Sequence, residues 1–132
     1  MDKSKYDASG KLKNGAFKEY FVDGTVSASG KYVDGEKSGQ WKYYLRGGQL
    51  KAVGKYASGK LVGKWKWYRD NGELMQIGEF TAEEKRTGTW KRYHPNGKLY
   101  DEGKYADDKK VGEWKTYDAK GALTKKKVYK AK

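Results

Sequence analysis

Residues 39–56 read GQWKYYLRGGQLKAVGKY, and residues 63–80 read GKWKWYRDNGELMQIGEF. The second stretch keeps the order of the first. A glycine is followed by an indole, a tyrosine, a second glycine, an aliphatic residue, a third glycine and a ring. Extended outward, the leading ring falls at Phe17, Trp41, Trp65, Trp90 and Trp114, with intervals of 24, 24, 25 and 24. Two residues before each stands Gly15, Gly39, Gly63, Gly88 or Gly112, and three after it Tyr20, Tyr44, Tyr68, Tyr93 or Tyr117. Gly24, Gly48, Gly72, Gly97 and Gly121 follow, each with an aliphatic residue two positions on (Val26, Leu50, Leu74, Leu99, Leu123). The last glycines, Gly30, Gly54, Gly78 and Gly103, precede Tyr32, Tyr56, Phe80 and Tyr105 by two. Self-similarity at a fixed period marks a repeat architecture in which stacked units bury a shared core.

Each unit reads as two short strands. The first carries the aromatic residues that suit a pleated surface. A turn at Val22-Asp23-Gly24, Arg46-Gly47-Gly48, Asp70-Asn71-Gly72 or His94-Pro95-Asn96-Gly97 supplies positive φ angles. The second strand alternates, so Leu50, Ala52, Gly54 and Tyr56 are expected on one face. Asp34-Gly35, Ser58-Gly59 and Asp107-Asp108 return the chain to the next unit, and the segment 81–87 is one residue longer. A glycine inside a strand weakens it unless a large ring lies across the bare backbone. That argument expects Trp41 opposite and over Gly54, Trp65 over Gly78, and Trp90 over Gly103. A register moved by one would instead bring Tyr beside Leu.

Composition agrees with folding in a thin layer. The 132 residues are 36% hydrophobic and carry a formal net charge of +13, a balance that by itself favours disorder. The five Trp and twelve Tyr oppose it, while aliphatic residues are scarce and Ile77 is the one isoleucine. No cysteine is present, so neither a disulfide nor a thiolate metal site holds the fold. The longest apolar run is a few residues, with no transmembrane helix or signal-peptide core to be seen. The compartment stays open: cytoplasmic by default, exported or cell-envelope if a signal peptide has been removed.

The expected fold is therefore all-β, an elongated single-layer antiparallel sheet of about five hairpin repeats of 24 residues. One domain spans 1–132, with a partial cap at 5–14, repeats at 15–38, 39–62, 63–87, 88–111 and 112–129, and a basic tail at 125–132. Lys127 stands where a glycine is due, and repeat character fades there.

From about Lys5 to Tyr129 the columns resemble the MORN repeat group, in its bacterial variant of the form G-x-W-x-x-Y-x-x-x-G-x-L followed by G-x-Y. The resemblance implies hairpins in series with an aromatic groove, and a role in scaffolding, docking of partner proteins or contact with acidic lipids. Some bacterial relatives are antitoxin-like partners of secreted toxins. Eukaryotic relatives set such repeats beside kinase or methyltransferase domains, for which this chain has no residues left over.

Lys18, Lys42, Lys66, Lys91 and Lys115 follow the five leading rings directly. A second, broken column holds Lys31, Lys55 and Lys104, with Glu79 interrupting it. On a stacked sheet, equivalent residues lie in a row about 10 Å apart. Such a row suits phosphates or acidic headgroups; equally, lysine keeps a one-layer sheet soluble and guards its edges. Rings beside cations also suit single-stranded nucleic acid, but here the rings are needed to hold the repeats together. Lys125, Lys126, Lys127, Lys130 and Lys132 form a run that is either a solvated terminus or a polybasic anchor.

Nothing in the residue pattern supports catalysis. His94 sits in a turn and needs no role, Glu83-Glu84 and Asp107-Asp108 lie in turns without calcium-loop spacing, and no glycine-rich loop opens a helix. No cofactor is expected. The sequence points to a non-enzymatic module that binds a protein or an acidic membrane surface through an aromatic, lysine-bordered face. Its candidate residues are Lys18, Lys42, Lys66, Lys91, Lys115, Tyr44, Tyr68 and Tyr93. The alternatives are a toxin-neutralising partner and, by charge alone, a nucleic-acid binder.

Overall fold

The computed structural model describes residues 5–130. Ten strands follow one another: β1 (Gly15–Tyr20), β2 (Val26–Val33), β3 (Glu36–Tyr44), β4 (Leu50–Ala57), β5 (Lys60–Tyr68), β6 (Leu74–Phe80), β7 (Arg86–Tyr93), β8 (Leu99–Ala106), β9 (Lys109–Tyr117) and β10 (Leu123–Tyr129). They form a single antiparallel sheet in sequence order. At about 4.8 Å per strand the sheet is roughly 43 Å across, longer than any of its strands. Lys132 lies outside the described residues; Lys125, Lys126 and Lys127 are no loose tail but the middle of β10.

Two kinds of turn alternate, and the sequence dictates both. Inside each hairpin a loop closes as Leu45 N donates to Gln49 O and Gly48 N to Leu45 O, with Gly48 at φ +91°. A left-handed residue ending such a loop is the position that selects glycine. Between hairpins, Asp34 and Gly35, Ser58 and Gly59, and Asp107 and Asp108 all take positive φ, as a two-residue connection requires. The extra residue after β6 converts that connection into the first kind. Thr81 N donates to Lys85 O, and Glu84, at φ +63°, takes the glycine's place.

Trp41 is directly opposite Gly54, Trp65 opposite Gly78 and Trp90 opposite Gly103, the expected register. The ring that covers each glycine is nevertheless a different one. A Cβ on Gly54 would land in the Trp65 indole, and one on Gly30, Gly78 or Gly103 in that of Trp41, Trp90 or Trp114. Each of these four tryptophans lies back over the strand before it. The cause is a bulge: Gly63, at φ +68°, breaks the β4–β5 register between Val53 and Lys55 and swings Trp65 across Gly54. Trp65 Nε1 then donates to Lys55 O at 3.1 Å, as Trp41 does to Lys31 O and Trp114 to Lys104 O. Trp90 donates to Thr87 O instead, beside the longer connection. Burying one such ring removes about 200 Å² from water, about 5 kcal/mol before chain entropy is counted.

A second bulge corrects another expectation. Tyr43 pairs with Ala52 but Tyr44 with Leu50, so Leu50 moves to the face opposite Ala52, Gly54 and Tyr56. The core is the row of indoles and the small residues between them: Ala28, Tyr32, Trp41, Ala52, Trp65, Trp90 and Trp114 are buried.

Candidate binding faces

Strand alternation separates the sheet into a face carrying the tryptophans and a face carrying the candidate lysines. The expected aromatic, lysine-bordered face is therefore divided: the indoles are on one side, and the lysine column and its tyrosines on the other. Lys42 neighbours Trp41 in β3, and adjacent strand residues point to opposite faces, so no register could have united them.

On the lysine face the candidate residues do come together. Lys18 is opposite Ser29, Ser29 opposite Lys42, Lys42 opposite Val53, and Val53 opposite Lys66. The line runs on through Ile77, Lys91, Glu102 and Lys115 to Lys126 without a break. Successive column lysines are two strands, about 10 Å, apart. At that distance two charges repel by about 0.4 kcal/mol in water, and salt reduces this further. Among the described residues Lys18, Lys42, Lys66 and Lys91 make no ion pair, whereas Lys115 and Lys126 share Glu113 at 3.4 and 3.5 Å. Lys31, Lys55 and Lys104 lie on this face too, paired with Ser38, Gln40 and Thr89, and Glu79 is opposite Lys64. Tyr44, Tyr68 and Tyr93, half-buried, stand opposite Leu50, Leu74 and Leu99 at the end of the same face. Their equivalent Tyr117 donates to Glu102 at 2.8 Å, which pushes its phenol pKa up.

The ring face carries cations that the sequence reading missed. Lys13, Lys37, Arg86 and Lys110 stand four residues before Phe17, Trp41, Trp90 and Trp114, with Leu61 in the third unit. Lys37 Nζ is 5.0 Å from the Trp41 ring centre and 3.0 Å from Tyr43 Oη. Lys13 covers Tyr32 at 4.9 Å, Arg86 covers Tyr105 at 4.4 Å, and Lys110 covers Trp114 at 4.6 Å. Each such contact contributes about 0.5–1 kcal/mol. Extending the repeat alignment four residues upstream would have found this column.

Tyr43 and Tyr56 share a hydrogen bond of 2.6 Å between hydroxyls, and burial raises both phenol pKa values, Tyr56 the more strongly. In the fourth unit Arg92 forms a bidentate pair with Asp101, Nε to Oδ1 at 3.0 Å and Nη2 to Oδ2 at 2.5 Å. Asp101 is 5% exposed, the one buried charged side chain among the described residues. His94, read as having no role, bonds through Nε2 to Tyr117 O at 2.8 Å and ties adjacent hairpin tips together. Among the described residues no group of three His, Cys, Asp or Glu side chains could hold a metal ion. No helix among them is long and apolar enough to cross a membrane.

A single sheet of serial hairpins in sequence order defines a repeat-built module. The MORN repeat variant matches residues 61–82, 86–107 and 110–131, half of the chain, and the chain belongs to that family. Repeats of this family are generally non-catalytic modules that bind proteins or membranes. The matched segments are the hairpins β5–β6, β7–β8 and β9–β10, and the two earlier hairpins keep the same register. No curated protein matches the chain. Among solved structures, it is similar to a chain of the GtfA/B complex bound to UDP and GlcNAc, at 12% identity and a TM-score of 0.33. The match covers 84% of this chain and 23% of that one, so this chain spans less than a quarter of that protein. At that score the likeness bears on neither fold nor function.

Proposed function

We propose that this chain is a non-enzymatic docking module whose lysine face holds an acidic partner, either a protein or an anionic membrane surface. The observation that carries the reading is the unbroken cross-strand line through Lys18, Lys42, Lys66, Lys91 and Lys115. A solubilising role asks only for scattered charge. A continuous row at about 10 Å spacing, separated mainly by uncharged Ser29, Val53 and Ile77, matches an extended acidic surface instead. Tyr44, Tyr68 and Tyr93 border the row and offer rings with a polar tip, which suit an interface.

The test is the triple variant Lys42→Gln, Lys66→Gln and Lys91→Gln. Each lysine contributes about 1 kcal/mol at an anionic surface, so affinity for vesicles containing acidic lipid, or for an acidic protein, should fall about 100-fold at low salt. Its salt dependence should become shallower. The melting temperature should hardly move, because isolated exposed charges contribute little to folding. A control triple at Lys60, the first residue of β5, and at Lys98 and Lys120 in the turns should lose far less. Equal losses from both triples would leave net charge as the sole cause and end the reading.

A further inference from the structure

The second and third units of the ring face carry a ring two residues after the leading ring, Tyr43 and Trp67, where the first, fourth and fifth carry Glu19, Arg92 and Thr116. Tyr43 stands between Trp41 and Trp65 at centroid distances of 6.3 and 6.4 Å, with interplanar angles of 29° and 28°. Trp67 stands between Trp65 and Trp90 at 6.0 and 5.8 Å, with angles of 24° and 27°. Five rings thus form one near-parallel ladder. The next rung, between Trp90 and Trp114, belongs by position to Arg92, which is opposite Gln76 and Asp101. Arg92 does not fill it with a plane of its own. Its guanidinium is drawn onto Asp101 and lies 5.1 Å over Tyr100, towards the hairpin tip. A groove of about 450 Å³ opens there, walled by Trp90, Trp114 and Tyr105, with Arg86 and Lys110 beside it.

We propose that this groove takes an aromatic side chain presented by an acidic segment of a partner protein. The ring is specified by the ladder: two preceding rungs place an aromatic plane at this position. The acidic neighbours are specified by charge. Arg86, Arg92 and Lys110 face the groove; Arg92 is held by Asp101 and Arg86 by Asp108 at 3.0 Å, which leaves the Lys110 charge to specify the acidic neighbour. Lys110 makes no ion pair among the described residues, and its cation already rides on the Trp114 ring beside the groove. An open flat slot with cations on its rim binds a flat group and rewards negative charge around it. The site lies on the opposite side of the sheet from the lysine row, so it stands or falls independently of it.

The experiment uses the full chain and two synthetic peptides, a tyrosine flanked on each side by four aspartates and the same peptide with alanine at the centre. Titration is followed by tryptophan fluorescence and calorimetry. The tyrosine peptide should bind at least tenfold more tightly than the alanine peptide. The double variant R92W/D101Q installs in the fourth unit the Trp67–Gln76 pair of the third, and should abolish that ratio while melting cooperatively. Should that variant fold poorly, Lys110→Gln tests the rim: it should weaken the tyrosine peptide about threefold to tenfold. The Lys42, Lys66 and Lys91 triple should leave the tyrosine-to-alanine ratio unchanged. Equal binding of both peptides to the wild type, a ratio that survives in a folded R92W/D101Q or, where that variant folds poorly, no loss on Lys110→Gln would overturn the proposal. So would a mononucleotide that binds where the tyrosine peptide does not.

Discussion

The second and fourth hairpins of the ring face share a backbone register and differ above all in the row beside the tryptophans. In the second, Tyr43 faces Ala28 and Ala52, small residues that let the ring lie flat between two indoles. Its hydroxyl bonds to Tyr56 and to Lys37, so the polar atoms are satisfied among themselves. In the fourth, Arg92 faces Gln76 and Asp101, and an ion pair replaces the ring stack. Trp41 is 0% exposed and Trp65 2%, against 6% for Trp90 and 8% for Trp114, so the tighter packing lies with the first arrangement. The comparison teaches that the repeat specifies pairing, while the row beside the tryptophans decides whether a unit closes on itself or stays open.

The largest effect should come from the glycines beneath the indoles. Gly54→Val would thrust its side chain into Trp65 and cost about 3 kcal/mol, measured by urea unfolding. Gly103→Val meets Trp114 in the same way, but that ring is more exposed and has only the terminal strand beyond it, so about half the loss is expected. Equal losses would erase the difference in packing between the two regions.

Next in size is the ion pair. Arg92→Ala leaves the Asp101 carboxylate buried without its partner. Because the arginine side chain is 52% exposed and screened, about 2 kcal/mol is expected in place of the full cost of breaking a buried pair. Asp101→Ala leaves a cation that water can reach and should cost about 1 kcal/mol or less. The reverse order would show that the arginine, and not the aspartate, is the buried partner in solution.

A smaller loss, about 1 kcal/mol, should follow Tyr56→Phe, which removes one half of the hydroxyl pair and leaves Tyr43 its bond to Lys37. The pH dependence sharpens the same contrast and is silent at neutrality. Burial raises the phenols of Tyr32, Tyr43 and Tyr56, all in the first two hairpins. A raised folded-state pKa favours the neutral form. Its contribution is fully present below the ordinary tyrosine value of about 10 and is lost as pH rises through the folded values. Amide exchange in alkali should therefore rise first in β2 to β4, before β6 and β7. Simultaneous loss throughout the sheet would break the comparison.

Much of this was legible in the residues. Positive-φ glycines and Asp-Gly pairs announce turns, and a ring column at constant interval announces stacked hairpins. The pairing of Trp41 with Gly54 was expected because a bare glycine needs a covering ring, a local argument that gave the right register although the covering ring is Trp65. The grouping of Lys42, Lys66 and Lys91 with Tyr44, Tyr68 and Tyr93 follows from alternation, although joining them to the tryptophans does not. The indole that covers Gly54 was not legible, because it comes from the next hairpin and depends on a bulge at Gly63. Nor was the face of Leu50, since one bulged residue, Lys51, inverts the count. The Arg92–Asp101 pair lies nine residues apart in the chain, and only the register places one opposite the other.

By itself the sequence determined the repeat, its period, its turns and the direction of every strand. Those properties depend on φ preferences and on a side-chain period of two, which act within a few residues. The tertiary structure alone decided which ring lies on which glycine, on which face Leu50 falls, and that the fourth unit keeps an open groove. These depend on bulges and on how one hairpin sits against the next. That relation is set by bulges and by packing between residues about 10 to 24 positions apart, where no single residue carries the information.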